Sequence, residues 1–224
     1  MMIELAKQAV DVGLFTNNKA DMLQFWQGRA GVPFAELLPL GGGLQQHRHA
    51  IGESILKINH SREPLAPAPA GGIRKLTIAR AGLEREMLLE DPDGNQLALV
   101  PEGEVEQLRV DLTVSHLGAH QDFYGQALGL PALDDRTFLC GRSQIRLSEG
   151  AATADPEQQA PGYRYLTIQV FDVRACHAAI LSRGGREGRA PMKLGEVAHI
   201  SFVRDPDGNW IEVSQRKSIT GSLD

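Results

Sequence analysis

Asp91-Pro92-Asp93-Gly94-Asn95 recurs unchanged as Asp205-Pro206-Asp207-Gly208-Asn209. Proline fixes φ at one corner of a turn, glycine accepts a positive φ at another, and the Asp and Asn side chains can bond the turn's own backbone. The flanks alternate like strands: Glu86-Met87-Leu88-Leu89 and Gln96-Leu97-Ala98-Leu99-Val100 surround the first copy. His199-Ile200-Ser201-Phe202-Val203 and Trp210-Ile211-Glu212-Val213 surround the second. Each pentapeptide therefore closes an antiparallel hairpin, and two identical hairpins point to an internally duplicated fold.

Two further pairs test the duplication. Asp11-Val12-Gly13-Leu14-Phe15-Thr16, then Phe25-Trp26 and Ala30-Gly31-Val32-Pro33, align at constant offset with Arg109-Val110-Asp111-Leu112-Thr113-Val114, Phe123-Tyr124 and Leu128-Gly129-Leu130-Pro131. Both read as a strand, an amphipathic helix and a Gly-Pro stop. Gly72-Ile73-Arg74-Lys75-Leu76-Thr77-Ile78 matches Gly162-Tyr163-Arg164-Tyr165-Leu166-Thr167-Ile168. Three collinear matches establish a repeat. Gly72 and Gly162 are 90 residues apart and Asp91 and Asp205 are 114 apart, so the second half carries 24 extra residues at this point. The first half has lost a helix there.

At 224 residues the chain can bury a sizeable core without staples. Cys140 and Cys176 are too few for a disulfide framework and read as buried reduced thiols. No apolar run is long enough to span a membrane, and the N-terminus lacks a signal peptide's apolar centre, so a cytoplasmic location is expected. A net charge of −5 and the lack of a basic tract argue against nucleic acid as partner.

Strands are expected near residues 9–16, 34–40, 44–50, 53–60, 73–80, 84–90 and 96–100, with a helix over 18–29. The proline-rich stretch 61–72 reads as a linking loop. The segment Pro101-Glu102-Gly103-Glu104 marks a boundary between an N-terminal domain, 1–103, with a truncated second module, and a C-terminal domain, 104–224. In the second half, strands are expected near 107–115, 133–140, 142–149 and 163–170, helices near 117–128 and 172–184, and then the hairpin. The fold class is α+β, built from tandem βαβββ modules.

This arrangement, with Phe-Tyr late in a first helix, Leu-Gly-Leu at its end and Asp-Pro-Asp-Gly-Asn-x-x-Glu in the last strand, resembles the vicinal oxygen chelate superfamily. That group contains glyoxalase I, bleomycin resistance proteins and extradiol dioxygenases. The resemblance implies two glyoxalase-like domains, each pairing two successive modules into a half-open β-cup that holds a small organic ligand.

In metal-dependent members of that group, a His on the first strand and a Glu on the last strand of each module chelate a divalent ion. Carried onto this sequence, the positions are Asp11, Lys57, Lys75 and Ala98 in the first half and Arg109, Arg146, Tyr165 and Glu212 in the second. Only Glu212 is of the expected kind, and cationic side chains at ligand positions repel an ion. No metal cofactor is therefore expected in either cup. Instead, Arg109, Arg146 and Tyr165 are expected to face Glu212, with Asp11 between Lys57 and Lys75. Such groups either fill the old metal space as a paired charge network or hold a carboxylate, phosphate or enolate, with Glu212 or Tyr165 moving a proton.

A rearranged metal site would draw on histidines. His47 and His49 share a strand face near His60, where surface or satisfied polar roles are the commoner case, and His116 and His120 share a helix face, where an exposed helix start is expected over a metal pair. His177 lies in a helix. His199 is the best placed of the seven, near Glu212, and with it would form the alternative Fe, Zn or Mn site. Trp210 should share a face with Glu212 and favour a flat ligand. Gly41-Gly42-Gly43 reads as a flexible turn, and Phe25-Trp26 and Phe123-Tyr124 as core staples.

Three functions remain open. One is a metal-independent binder of an anionic or aromatic small molecule in the C-terminal cup, acting as a sequestering protein or as an isomerase or lyase. The second is a metal-dependent glyoxalase or extradiol dioxygenase-type enzyme, and the third a non-catalytic scaffold. Either a monomer or a homodimer fits.

Overall fold

The computed structural model describes residues 3–223. The first module contains β1 (Asp11–Thr16), α1 (Lys19–Gln24) running on as a π-helical turn over Phe25–Arg29, β2 (Phe34–Gly41), β3 (Leu44–Ile51) and β4 (Ser54–Ser61). The second contains only β5 (Ile73–Arg80), β6 (Met87–Glu90) and β7 (Gln96–Pro101). The third has β8 (Leu108–Val114), α2 (Leu117–Asp122) with a π-helical turn over Phe123–Ala127, β9 (Thr137–Cys140) and β10 (Ser143–Glu149). The fourth has β11 (Gly162–Gln169), α3 (Val173–Ser182), β12 (Arg186–Leu194), β13 (Ala198–Arg204) and β14 (Trp210–Arg216), followed by a single turn, α4 (Lys217–Thr220). The extra residues of the second half hold a strand, β12, as well as α3. That strand's sequence does not alternate. It is an edge strand paired only with β13, and its register shifts between Arg189 and Met192, around Pro191.

The modules do not pair in chain order. An eight-stranded sheet runs β12-β13-β14-β11-β1-β4-β3-β2, joining the fourth module to the first. A six-stranded sheet runs β6-β7-β5-β8-β10-β9, joining the second to the third. The seams are the antiparallel pairs β1 with β11 and β5 with β8. Each sheet thus draws on both sides of residue 103, which corrects the expectation that successive modules share a cup. A duplicated strand pattern offers either pairing equally well, because the repeats present equivalent edges.

One continuous core lies beneath both sheets, gathering Val12 and Leu14 of β1, Leu76 of β5, Val110 and Leu112 of β8, and Met22, Trp26, Phe123 and Tyr124 of the helices. Trp26 and Tyr124 are fully buried staples. Their polar tips reach the two pentapeptide turns: Trp26 Nε1 donates to Asp91 Oδ2 at 3.3 Å and Tyr124 Oη donates to Asp205 Oδ2 at 3.3 Å. The turns then reach across to each other's modules. Asn95 Oδ1 accepts the Tyr163 amide at 3.1 Å, at the start of β11, and Asn209 Oδ1 accepts the Gly72 amide at 2.6 Å, just before β5. Gly94 and Gly208 take the positive φ that the sequence requires, 83° and 87°. Cys140 and Cys176 are free thiols, and burial pushes both up to about 12. Among the described residues, no helix is long and apolar enough to cross a membrane.

Candidate functional site in the eight-stranded cup

Strand alternation sends one set of side chains from β4, β1, β11 and β14 to the concave face of the larger sheet. At the centre of that face, Lys57 of β4 reaches across β1 to the far side of the seam. Its Nζ lies 2.7 Å from Glu212 Oε2 and 2.7 Å from Thr167 Oγ1, and Thr167 donates to the same Glu212 oxygen at 2.7 Å. Gly13, paired with both Lys57 and Tyr165, makes this crossing possible. A Cβ there would fall 2.0 Å from Tyr165 Cε1, so the phenol ring occupies the space a side chain would need.

Tyr165 is buried in an aromatic cluster with Phe15, Phe202 and Trp210. Its hydroxyl accepts from Asn59 Nδ2 at 3.1 Å, and burial, reinforced by the Glu212 charge, pushes its pKa well above the ordinary phenol value. It is a neutral wall of the cup.

The floor opens into a cavity of about 210 Å³. Four cationic side chains, Arg48, Lys57, Arg189 and Arg216, line it against one carboxylate, Glu212. Arg48 and Arg216 converge on the same Glu36 oxygen, at 3.4 and 3.3 Å. Burial, followed by the nearby Arg48 charge, lowers the Arg216 pKa. The two guanidinium groups, bridged by Glu36, with Arg48 also donating to Gln46 and Arg216 to Ser218, make the cationic rim of the cup. Leu38, Leu40, Leu44, Ile200 and Phe202 supply the apolar part of the wall.

The expected site residues are dispersed. Glu212 and Tyr165 lie in this cup with Lys57, a partner the sequence assigned to another domain. Trp210 shares the Glu212 face but is closed off: its Nε1 donates to the Pro156 carbonyl at 2.8 Å and Arg204 stacks 3.7 Å above its ring. His199 alternates with the cup-lining Ala198 and Ile200 and therefore points out of the cup, which excludes the pairing with Glu212. Arg109 and Arg146 belong to the six-stranded sheet, where they meet Asp111 and not Glu212. Asp11 is paired with Lys7 at 2.5 Å and accepts the Ile55 amide, while Lys75 lies by Asp111. The corrections at Lys57, Arg109, Arg146, Asp11 and Lys75 follow from the crossed pairing of modules, whereas those at His199 and Trp210 are local.

Four of the other histidines are structural. His49 is buried against Gln27 at 3.1 Å, His116 caps α2 through Nδ1, and His177 contacts Glu187 at 3.1 Å. His120, expected at an exposed helix start, is fully buried between Asp205 and Asp207. Arg48, Asn59, Thr167 and Arg216 escaped the sequence reading. Alternation could have found Arg48, since it lies between His47 and His49 and so faces the opposite way.

The donor set at the cup centre does not fit a divalent ion. An ammonium group occupies the carboxylate oxygen that would bind it, and no group of three or more His, Cys, Asp or Glu side chains converges among the described residues. A larger cleft of about 780 Å³, bordered by Gly31, Arg80 and Gln107, lies outside both cups and lacks such a convergence.

The family model of the Glyoxalase/Bleomycin resistance protein/Dioxygenase superfamily matches residues 107–213. A probable lactoylglutathione lyase of Vibrio cholerae is 33% identical over 132 residues, covering 52% of this chain and 95% of the relative. A lactoylglutathione lyase of Neisseria meningitidis is 31% identical over 126 residues, covering 50% of this chain and 91% of the relative. Among solved structures, glyoxalase I from Zea mays superposes with a TM-score of 0.76 at 15% identity, covering 95% of this chain and 92% of that one. A putative dioxygenase from Bacillus subtilis gives a TM-score of 0.67 at 11% identity, covering 100% of this chain and 91% of that one. The fold and its curled sheets are those of a glyoxalase-like, two-cup protein. The chain belongs to the Glyoxalase/Bleomycin resistance protein/Dioxygenase superfamily.

Proposed function

We propose that the chain binds a small amphipathic organic anion in the eight-stranded cup, without a divalent ion. The observation that carries this reading is the Lys57–Glu212 contact of 2.7 Å at the cup centre, where a fixed cation stands against the last-strand carboxylate. The ligand's anionic end fits the Arg48 and Arg216 guanidinium groups, and its apolar body fits the leucine and phenylalanine wall. Lys57 can then stabilise negative charge developing on the bound molecule, and the second Glu212 oxygen is the group placed to take or return a proton. On this reading the protein is a sequestering protein, or an isomerase or lyase working through Lys57 and Glu212.

The names of the bacterial relatives favour a second reading, a lactoylglutathione lyase. Two measurements on the purified chain separate them. Calorimetric titration with aliphatic and aromatic carboxylates should give saturable binding that Arg48→Ala weakens, with no stoichiometric metal in elemental analysis. Lactoylglutathione lyase activity that depends on added divalent metal would overturn the metal-free reading. Absence of binding across the panel would overturn the ligand assignment.

A further inference from the structure

We infer that the six-stranded sheet carries a second, independent site for a small oxyanion, formed by Arg109, Arg146 and Lys75 around Asp111. The pairings of β5, β8 and β10 bring these side chains onto one face, with Asp111 opposite both Lys75 and Arg146 and Thr77 opposite Arg109. Three cations surround one carboxylate. Arg146 Nε lies 2.7 Å and Arg109 Nε 3.3 Å from the same oxygen, Asp111 Oδ1, while Lys75 Nζ lies 3.8 Å from Oδ2. Thr77 donates to Oδ2 at 3.4 Å and accepts from Arg109 Nη2 at 3.4 Å.

Asp111 therefore orients the guanidinium planes without neutralising them. Both arginines spend their inner nitrogens on it, and the Arg146 side chain makes no other hydrogen bond among the described residues, its further electrostatic neighbour being the exposed Asp134. The terminal nitrogens of Arg146, on a side chain 40% exposed, remain as an open fork. Guanidinium forks match the paired oxygens of carboxylate and phosphate groups. Access is open as well: β12, whose Arg189 and Leu194 line the larger cup, has no counterpart in the second module. On its edge strand, Glu90 is tied to Gln96 at 2.6 Å. The shared chemistry is a compact oxyanion, either a free phosphate or a small dicarboxylate.

The test uses the full chain carrying Arg48→Ala and Arg216→Ala, which silences the larger cup's cationic mouth. Inorganic phosphate and malonate are titrated separately by calorimetry at low ionic strength. At least one should bind saturably at a single site, and which one does distinguishes phosphate from carboxylate recognition. Adding Arg146→Ala should weaken that binding about tenfold or more, the scale of a lost charge-assisted hydrogen bond. Asp111→Asn should tighten it, because Asn keeps the Oδ1 acceptor that holds both inner nitrogens and removes the competing charge. Should the background variant fail to fold, side-chain Nε–Hε NMR signals of the wild-type arginines provide the readout, with the Arg146 signal shifting on titration of phosphate or malonate. No saturable binding of either anion, binding indifferent to Arg146→Ala, or an Asp111→Asn protein that binds no tighter would each overturn the proposal.

Discussion

Lys57 and Glu212 are 155 residues apart and meet at 2.7 Å across the seam of the larger sheet. With Thr167 bridging them, they fix the first module to the fourth at the point where the cup is deepest. The contact is almost dry, with Lys57 5% and Glu212 13% exposed at the side chain. An ion pair so placed gains little overall against an apolar pair, but each partner depends on the other for its burial.

Removing one partner should therefore cost far more than removing both. Lys57→Met is expected to destabilise the fold by about 3 to 5 kcal/mol, the scale for stranding a buried charge. Lys57→Met combined with Glu212→Leu should recover a substantial part of that loss. Urea denaturation of the two single variants and the double closes the cycle. Additive losses would show that the two side chains do not act as a pair.

Gly13 is the passage through which this contact is made. Gly13→Ala places a methyl group against the Tyr165 ring and forces the ring or β1 to move, at about 1 to 3 kcal/mol for an overpacked site. Tyr165→Ala in the same chain should restore part of the stability, because the obstruction is the ring itself. If the second substitution only adds to the first, the clash is not the cause.

The elements were readable in the sequence because they depend on local chemistry. Proline, glycine and the Asx side chains define the two turns, Phe25-Trp26 and Phe123-Tyr124 fill the helix-to-sheet space, and alternation marks most strands. The module pairing was not readable. Which strand lies beside β1 is a long-range choice between near-identical edges, and the repeat disguises it. That single choice moved Lys57 to Glu212 and carried Arg109 and Arg146 into the other sheet. His199 failed for a local reason, since strand parity alone sends it away from Glu212. Strand β12 was missed because an edge strand interrupted by Pro191 carries no alternation.

The reciprocal latches of the two turns give a symmetric expectation. Asn95→Ala and Asn209→Ala each leave a buried backbone amide, that of Tyr163 or Gly72, without its acceptor. Each should lower stability by about 1 to 3 kcal/mol. Hydrogen exchange should speed up in the partner module, at β11 for Asn95→Ala and at β5 for Asn209→Ala. Faster exchange confined to the mutated hairpin would contradict a latch between modules.

The fully buried His120 makes stability depend on pH in a direction that can be stated. Its Nδ1 is paired with the His116 carbonyl at 2.9 Å, which leaves Nε2 facing Asp205 at 3.5 Å and Asp207 at 3.4 Å. Burial opposes a charge on the ring, but the nearby Asp205 carboxylate, the His116 carbonyl and Asp207 outweigh it, so the folded-state pKa lies above the ordinary 6.5. A raised pKa means that the folded state holds the proton more tightly than the unfolded chain does. The stabilisation is therefore complete below pH 6.5 and is lost as pH rises through the folded value, with each unit of separation worth about 1.4 kcal/mol. The first repeat supplies the control: Met22, fully buried, stands at the matching helical position. His120→Met removes the titrating group while keeping an apolar filler, so its stability should vary less between about pH 6 and pH 8 than that of the wild type. Denaturant titrations at several pH values provide the comparison. Parallel wild-type and variant profiles would mean that His120 is not the group that titrates.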